Sequence, residues 1–305
     1  MRTEDIIATP ARVLTDGQRQ TYFDKGYLLV ESAVDSDWIE RLLATTAEMV
    51  DRSRSIAESD SIFDLEPGHS SDNPRLRRLS SPTDQHSIYW EFASRSIVPD
   101  IVADLVGPNV KFHHSKLNFK WADGGEEVKW HQDITFWPHT NYSPLTVGLY
   151  LHDVGDEQGP LGVLPRSHEG DLYNQYNYQG QWAGCLSDND VSSLDLNSVE
   201  YLTGPAGSIT IHNCRAVHGS KINQSAVGRP LLLNAYSSAD AFPYTHDPLM
   251  SSHHGEIVRG QPATWAHHDP RPCLIPPDWS GGYTSIYALQ QEEAATEKSE
   301  ETHAN

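Results

Sequence analysis

The stretch KWHQDITFWP, residues 129–138, places a histidine and an aspartate two positions apart among aromatic side chains. On an extended chain, residues two apart point to the same side, so His131 and Asp133 can reach one metal ion while Gln132 points away. Imidazole and carboxylate groups are both common metal ligands. The pair alone does not decide between a metal site and an ordinary strand, because this spacing also arises by chance.

A second His-x-Asp pair, His267 and Asp269, occurs in the proline-rich segment RGQPATWAHHDPRPCLIPPDWSGGY. Pro270 directly follows the aspartate, and no alternating strand pattern surrounds the pair. We therefore predict that this second pair lies in a surface loop, and that partners should be sought for the first.

His218, in the stretch HNCRAVHGSKINQSAVGRP, offers a third ligand to join His131 and Asp133. Two histidines and one carboxylate form the facial set that leaves coordination positions open for chemistry at Fe(II). Arg229 follows His218 by 11 residues, at the start of an apolar run. An arginine in such a pocket suits bidentate capture of a carboxylate. Together these residues predict a site that holds a small diacid against iron.

The hydrophobic pattern changes along the chain. Before residue 110 it has the three- and four-residue spacing of amphipathic helices, and beyond it short β-rich runs alternate with turn residues. The pattern predicts helices within 14–30 (with a strand after Gly26), 35–55 and 96–108, and strands within 110–121, 145–154, 161–165, 207–212 and 229–237. Many short strands behind a helical section indicate a mainly β protein, a sandwich or jelly roll with N-terminal helices packed outside.

We predict a single domain over residues 1–305. Within it, residues 1–109 are a mostly helical cover, 110–240 the jelly-roll core and 241–290 an irregular C-terminal segment. The polar, charged end of the chain, 291–305, is predicted to be disordered.

Composition restricts the class of partner. The chain has 305 residues, a formal net charge of −20 and no apolar run near the ~18 residues that a membrane span needs. A surplus of acids disfavours nucleic acid and anionic membrane surfaces, which attract Lys and Arg. The start of the chain lacks the apolar region of a secretory signal, so we expect a cytoplasmic protein. The three cysteines suggest neither a disulfide framework nor a zinc ribbon, and Cys214 is expected to be a buried thiol.

Three blocks of the sequence resemble the phytanoyl-CoA dioxygenase family of Fe(II)/2-oxoglutarate-dependent oxygenases, and within it the ectoine-hydroxylase-like bacterial members. WHQDITFW is similar to the family's Trp-His-x-Asp block, with a tryptophan four residues after the aspartate. GPLGVLPRSH (159–168) is similar to its Gly-x-Leu-x-x-x-Pro-Gly-Ser-His turn, with Arg166 where glycine is usual. GSITIHNCRAVHGSKINQSAVGRPLLLNAY (207–236) is similar to its distal-histidine block. The matches cover residues from about Leu105 to Tyr236.

The resemblance implies a double-stranded β-helix, the cupin-like jelly roll, with iron between its two sheets. It implies Fe(II) and 2-oxoglutarate as cofactors, with the facial set named above as the metal ligands. By position, Asn118 corresponds to the family's asparagine near the C1 end of 2-oxoglutarate. Thr146 corresponds to a hydroxyl that shares the distal carboxylate of 2-oxoglutarate with Arg229.

By the same matching, His114, Lys116 and Trp137 occupy positions that line the substrate side of the ectoine hydroxylases. That family has Gln and Arg at the first two positions, which puts ectoine itself in doubt as the substrate. Lys116 either pairs with a substrate carboxylate or is a solvated strand residue. We expect a small amino-acid-like or secondary-metabolite substrate. Other histidines are expected to be non-catalytic: His113 (on the opposite face of its strand), His152, His168, His212, His253 and His254.

The implied reaction is hydroxylation of an unactivated C–H bond by O2, with succinate and CO2 as co-products. Asp133 disfavours halogenation, because the related halogenases have a small residue at that position. Desaturation, epimerisation and ring formation use the same ligands and stay open as alternatives. A catalytically inactive jelly-roll binding protein and a cupin isomerase are alternatives of another class, although Arg229 has no task in an isomerase. The sequence assigns no oligomeric state.

Overall fold

The computed structural model describes residues 3–122, 125–283 and 285–291, and its strands lie in two sheets. In chain order the strands are β1 Tyr27–Val30, β2 Phe63–Leu65, β3 Leu76–Ser80, β4 Val110–Lys120, β5 Val128–His131, β6 Leu145–Tyr150, β7 Leu161–Val163, β8 Glu200–Leu202, β9 Ile209–Asn213, β10 His218–Ser220, β11 Arg229–Ser238 and β12 Ile257–Arg259. The larger sheet has the order β1-β9-β6-β11-β4-β3-β2, with β12 beside β4, and the smaller sheet has the order β5-β10-β7-β8. These antiparallel sheets confirm the predicted mainly β fold, a cupin-like jelly roll.

Most of the helices precede the jelly-roll strands. In chain order they are α1 Thr3–Ala8, α2 Asp16–Lys25, α3 Ser36–Arg52, α4 Pro82–Gln85, α5 Ser87–Arg95, α6 Val98–Val106 and α7 Asp188–Ser192. Helix α2 begins with a capping box between Thr15 and Gln18, and it ends at Gly26, whose φ of 83° is left-handed. The three predicted N-terminal helices and the strand after Gly26 are therefore confirmed.

The outer face of the large sheet packs against these helices. Leu117 of β4, Val147 of β6 and Leu232 of β11 are buried in one apolar cluster with Leu42 of α3 and Val102 of α6. Burial of this apolar surface is the main stabilising contribution from the N-terminal helices. The helices lie outside the jelly roll, as predicted.

The inner face of the large sheet is polar. Strand alternation turns Lys116, Asn118 and Lys120 of β4 away from the helices. Asn118 lies opposite Leu231 of β11, and Lys120 lies opposite Arg229. This face therefore brings buried cations and an amide to the space between the two sheets.

Strands β2 and β3 were not predicted from the sequence. The run LRRLS of β3 is buried at every position, so it has no exposed face to give a simple alternation. Its pairing with β4 places Arg78 opposite Asn118. The N-terminal segment thus supplies one cation to the inner face as well as the helical cover.

Residues 241–283 cross the molecule with little regular structure apart from β12 and a short 3₁₀ turn, Trp279–Gly281. In the 3₁₀ turn, Trp279 donates a hydrogen bond from Nε1 to the carbonyl of Phe136 at 2.9 Å. A helical stretch follows at 286–291. Residues 292–305 of the predicted disordered tail lie outside the described residues. Within the described part of the chain, no helix is long and apolar enough to cross a bilayer.

Candidate active site

His131, Asp133 and His218 meet between the two sheets. His131 ends β5 and His218 begins β10, and the two histidines pair directly across the antiparallel ladder. The Oδ1 atom of Asp133 lies 3.7 Å from Nε2 of His131 and 3.8 Å from Nε2 of His218. All three side chains are buried and within reach of a single metal ion. The structure thus brings together the three residues that the sequence singled out as ligands.

Backbone carbonyls orient both imidazoles. Nδ1 of His131 donates to the carbonyl of Lys129, and Nδ1 of His218 donates to the carbonyl of Ala216, each at 2.9 Å. The Nε2 atoms therefore carry the lone pairs that face Asp133. Burial lowers the pKa of His131 to about 4 and holds the pKa of His218 well below its ordinary value. Both imidazoles are neutral at pH 7, the form that binds a metal.

The other oxygen of Asp133 is held by its neighbours. Thr146 Oγ1 donates to Oδ2 of Asp133 at 2.8 Å, and Nε2 of His212 lies 3.2 Å from the same oxygen. Burial alone would raise the pKa of Asp133, but Lys116 and the adjacent imidazoles keep that pKa well below its usual range. Asp133 is therefore ionised, with Oδ1 turned toward the two histidines.

Gln132 points away from this cluster, as predicted. Its Nε2 donates to the carbonyls of Arg215 at 2.7 Å and Asp171 at 3.1 Å, and its Oε1 accepts from the amide of Tyr173 at 2.9 Å. These bonds tie the turn after β5 to neighbouring loops. The bonds of Gln132 thus hold this turn on the side opposite to His131 and Asp133.

The sheet register places Thr146 and Arg229 at different positions along the large sheet. Thr146 pairs with Ala235 of β11, and Arg229 lies six residues before Ala235 on the same strand. Both residues nevertheless line the chamber described in the next paragraph, so their sharing of one carboxylate stays a prediction. Thr146 also bonds Asp133, as described above.

Arg229 lines a chamber whose walls also include His131, His218 and Thr146. The chamber measures about 50 Å³, and its walls include Asn118, Lys116 and Tyr287. Nε and Nη1 of Arg229 are buried and have no hydrogen-bond acceptor among residues 3–122, 125–283 and 285–291. Burial lowers the pKa of this guanidinium. An unpaired, buried arginine is costly, and an anionic ligand would offset that cost.

A second, smaller chamber of about 20 Å³ lies on the other side of His131. Its walls include the predicted substrate-side residues His114, Lys116 and Trp137, together with Arg78. Arg78 is 1% exposed and donates from Nε to Oδ1 of Asn118 at 3.2 Å. Its Nη1 atom has no acceptor among the described residues. The chamber is thus narrow and lined by two cations.

Known proteins share both the sequence blocks and the fold. The family described as "Phytanoyl-CoA dioxygenase (PhyH)" matches residues 22–231, more than half of the chain. The chain belongs to the phytanoyl-CoA dioxygenase family. A relative from Stutzerimonas stutzeri, a "Probable alpha-ketoglutarate-dependent hypophosphite dioxygenase", is 30% identical over 261 residues, 85% of this chain and 91% of the relative.

More distant members show the same relationship. An "Ectoine dioxygenase" from Stutzerimonas stutzeri strain A1501 is 24% identical to this chain. The match spans 70% of this chain and 74% of the relative. The crystal structure of EctD from S. alaskensis with bound Fe has a TM-score of 0.67 at 18% identity, over 85% of this chain and 92% of that one. As a member of the phytanoyl-CoA dioxygenase family, the protein is a non-haem iron, 2-oxoglutarate-dependent dioxygenase of a small-molecule substrate.

Two residues beside this phytanoyl-CoA dioxygenase site were not predicted from the sequence. His212 was expected to be non-catalytic, yet it contacts Asp133. The sequence pattern that could have indicated this contact is the strand alternation of β9, which places His212 on the inner face of the sheet beside Thr146. Arg78 had no such signal, because β3 itself was not predicted.

Proposed function

We propose that His131, Asp133 and His218 hold the iron and that Arg229 binds the distal carboxylate of 2-oxoglutarate. The observation that carries this proposal is the unpaired, buried Arg229 in the wall of a chamber that His131 and His218 also line. Asn118 lines the same chamber, within reach of the other end of the diacid. When bound, iron and 2-oxoglutarate supply the oxidising chemistry with O2, and they release succinate and CO2.

We propose that the substrate is a small oxyanion, with hypophosphite as the leading candidate. The substrate chamber is too narrow for a large metabolite, and Lys116 and Arg78 give it two positive charges. Both side chains suit an oxyanion through charge-assisted hydrogen bonds. The relative that is 30% identical to this chain, over 91% of the relative's length, is named for hypophosphite.

The proposed reaction converts one P–H bond of hypophosphite into P–OH. One atom of O2 enters the phosphorus oxyanion, which becomes phosphite, and the other enters succinate as 2-oxoglutarate loses CO2. The protein's own part is to orient the anion with Lys116 and Arg78 and to exclude bulk water with the buried Trp137. A small amino acid, whose carboxylate suits the same two cations, is the second candidate.

The test compares substrates in one assay. The protein is loaded with Fe(II) without oxygen, given 2-oxoglutarate, and exposed to air with hypophosphite, ectoine, L-proline or no addition. Succinate is quantified, and ³¹P NMR follows hypophosphite and phosphite. We expect hypophosphite to stimulate succinate release, with one phosphite formed per succinate. Stimulation by ectoine or proline alone would overturn the substrate and leave the cofactor roles standing.

Variants test the two sets of contacts, and both KM values are measured in each because Lys116 lines both chambers. Lys116→Gln should raise the KM for hypophosphite by about 10- to 100-fold, the effect of one lost bond to a charged group. Arg229→Gln should raise the KM for 2-oxoglutarate instead. Lys25→Gln, which removes a half-exposed lysine paired with Glu200, is the matched control and should leave both KM values unchanged. An unchanged KM for 2-oxoglutarate in Arg229→Gln would contradict the assigned role.

We further propose that the enzyme acts in the cytoplasm and binds neither nucleic acid nor membranes. Cys185, Cys214 and Cys273 are all free thiols, which suits a reducing compartment. The net charge of −20 disfavours phosphate backbones and anionic lipids.

A further inference from the structure

A second cluster of metal-ligating side chains lies next to the substrate chamber. It consists of His113 on β4 and of Asp247 and His254 on the loop between β11 and β12. Each residue offers one ligand atom, and the three atoms lie within 4.8 Å of one another. The cluster shares no residue with the candidate iron site, although both contain two histidines and one aspartate.

The distances suit a shared cation. Oδ2 of Asp247 lies 3.1 Å from Nδ1 of His113 and 3.3 Å from Nδ1 of His254. Two donor atoms on one tetrahedral zinc ion lie about 3.3 Å apart, given bonds of about 2.0–2.1 Å. His254 also lies 3.1 Å from the carbonyl of His113, a contact that metal binding would replace.

Asp247 is the observation that points to a ligand. Its side chain is 4% exposed, and its Oδ2 atom lies close to the Nδ1 atoms of His113 and His254, but neither contact has hydrogen-bond geometry. Its other oxygen accepts from the amide of Leu249 at 3.0 Å. A buried carboxylate oxygen without a donor is costly, and a cation placed between the imidazoles would remove that cost.

Neighbouring imidazoles add to the donor set. Nδ1 of His114 lies 2.5 Å from Nδ1 of His113, so the two nitrogens share a proton, which a metal ion bound to His113 would displace. The ring of His139 packs 4.9 Å from that of His113, and its Nδ1 donates to the carbonyl of Trp137 at 2.7 Å. The other nitrogen of His139 therefore carries a lone pair and is a candidate fourth ligand.

We propose that His113, Asp247 and His254 bind a second divalent cation of the zinc class. Imidazole nitrogen with one carboxylate suits Zn²⁺ and its first-row neighbours, whereas Mg²⁺ and Ca²⁺ prefer sites made of oxygen ligands. Pro248 and Leu249, which follow Asp247, line the substrate chamber. The cation therefore fastens this loop to β4 and holds the wall of the chamber in place. The inference concerns a separate site and does not depend on the proposed substrate.

The first experiment counts bound metal. Metal-free full-length protein is equilibrated with Co(II), which stands in for iron and zinc, and the bound metal per chain is measured by mass spectrometry after gel filtration. We expect two ions in the wild type and one in His254→Ala or Asp247→Asn. His253→Ala is the matched control: His253 stacks on Trp90 and is not in the cluster, so this variant should keep two. One ion in the wild type, or two in His254→Ala, would overturn the second site.

The second experiment isolates the new site from the iron site. In a His218→Ala background, which lacks one candidate iron ligand, Zn²⁺ should still raise the melting temperature, because it binds only the folded state. The rise should disappear in the double variant His218→Ala/His254→Ala and persist in His218→Ala/His253→Ala. Equal shifts in both double variants would assign the zinc to other residues. Neither measurement involves turnover, so failure of the substrate proposal would not affect it.

Discussion

Asp133 uses its two carboxylate oxygens for different tasks. Thr146 and His212 contact Oδ2, while Oδ1 faces the two histidine nitrogens. A ligand that accepts a hydrogen bond on its outer oxygen is held in one rotamer, and this fixes the atom left for the metal. Thr146 therefore serves the site through its bond to Asp133.

This role predicts the effect of Thr146→Val, which keeps the shape of the side chain and removes its donor. We expect the dissociation constant for Fe(II), measured without oxygen, to rise by about 10- to 100-fold. Thr146→Ser restores the hydroxyl and should recover most of the affinity. The KM for 2-oxoglutarate should change less than in Arg229→Gln. Wild-type iron affinity in Thr146→Val would contradict this assignment.

At the scale of elements, Gly148 in β6 shows how tightly the inner face of the large sheet is packed. A Cβ atom at Gly148 would lie 2.7 Å from Oγ1 of Thr210, 3.1 Å from Leu231 and 3.2 Å from Leu233. All three contacts come from the two strands that flank β6, so the added methyl group has no free direction. We expect Gly148→Ala to reduce the free energy of unfolding by about 1–3 kcal/mol, as overpacking does.

Urea denaturation measures this loss, and Gly155→Ala provides the matched control. Gly155 has a φ of −103°, and the nearest atom to its added Cβ is a flexible Gln158 oxygen at 3.5 Å. The free energy of unfolding of this control should stay within about 0.5 kcal/mol of the wild-type value. Equal stability of the two variants would show that β6 can shift to admit a methyl group.

The elements also show what local sequence can and cannot predict. The change from helix to strand at Gly26 and the alternation around Gln132 are local patterns, and both were predicted correctly. The bond from Thr146 to Asp133 was not predicted, because it depends on how β6 lies against the turn after β5, which one sequence does not encode visibly. The cluster of His113, Asp247 and His254 was missed for the same reason. His113 is more than 130 residues from the other two members, and the three carry no spacing motif.

At the scale of the whole molecule, many histidines are buried in neutral form. Burial lowers the pKa of each of His114, His131 and His139 to about 4, against an ordinary value of 6.5. His254 has the opposite shift, because the neighbouring carboxylate of Asp247 raises its pKa. The depressed pKa values are more numerous, so the stability of the metal-free protein should depend on pH mainly through them.

Between pH 6.5 and about 4 these three histidines bind a proton in the unfolded chain but not in the folded one, so stability falls as pH falls. At pH 5 each of these histidines should lower the free energy of unfolding by about 2 kcal/mol relative to pH 7.5. Urea denaturation of metal-free protein measures this loss. His139→Gln removes one titrating group, so its loss between the two pH values should be smaller than that of the wild type by about 2 kcal/mol. Equal losses in the two proteins would show that His139 titrates alike folded and unfolded, and a wild type without any loss would rule out neutral burial of all three histidines.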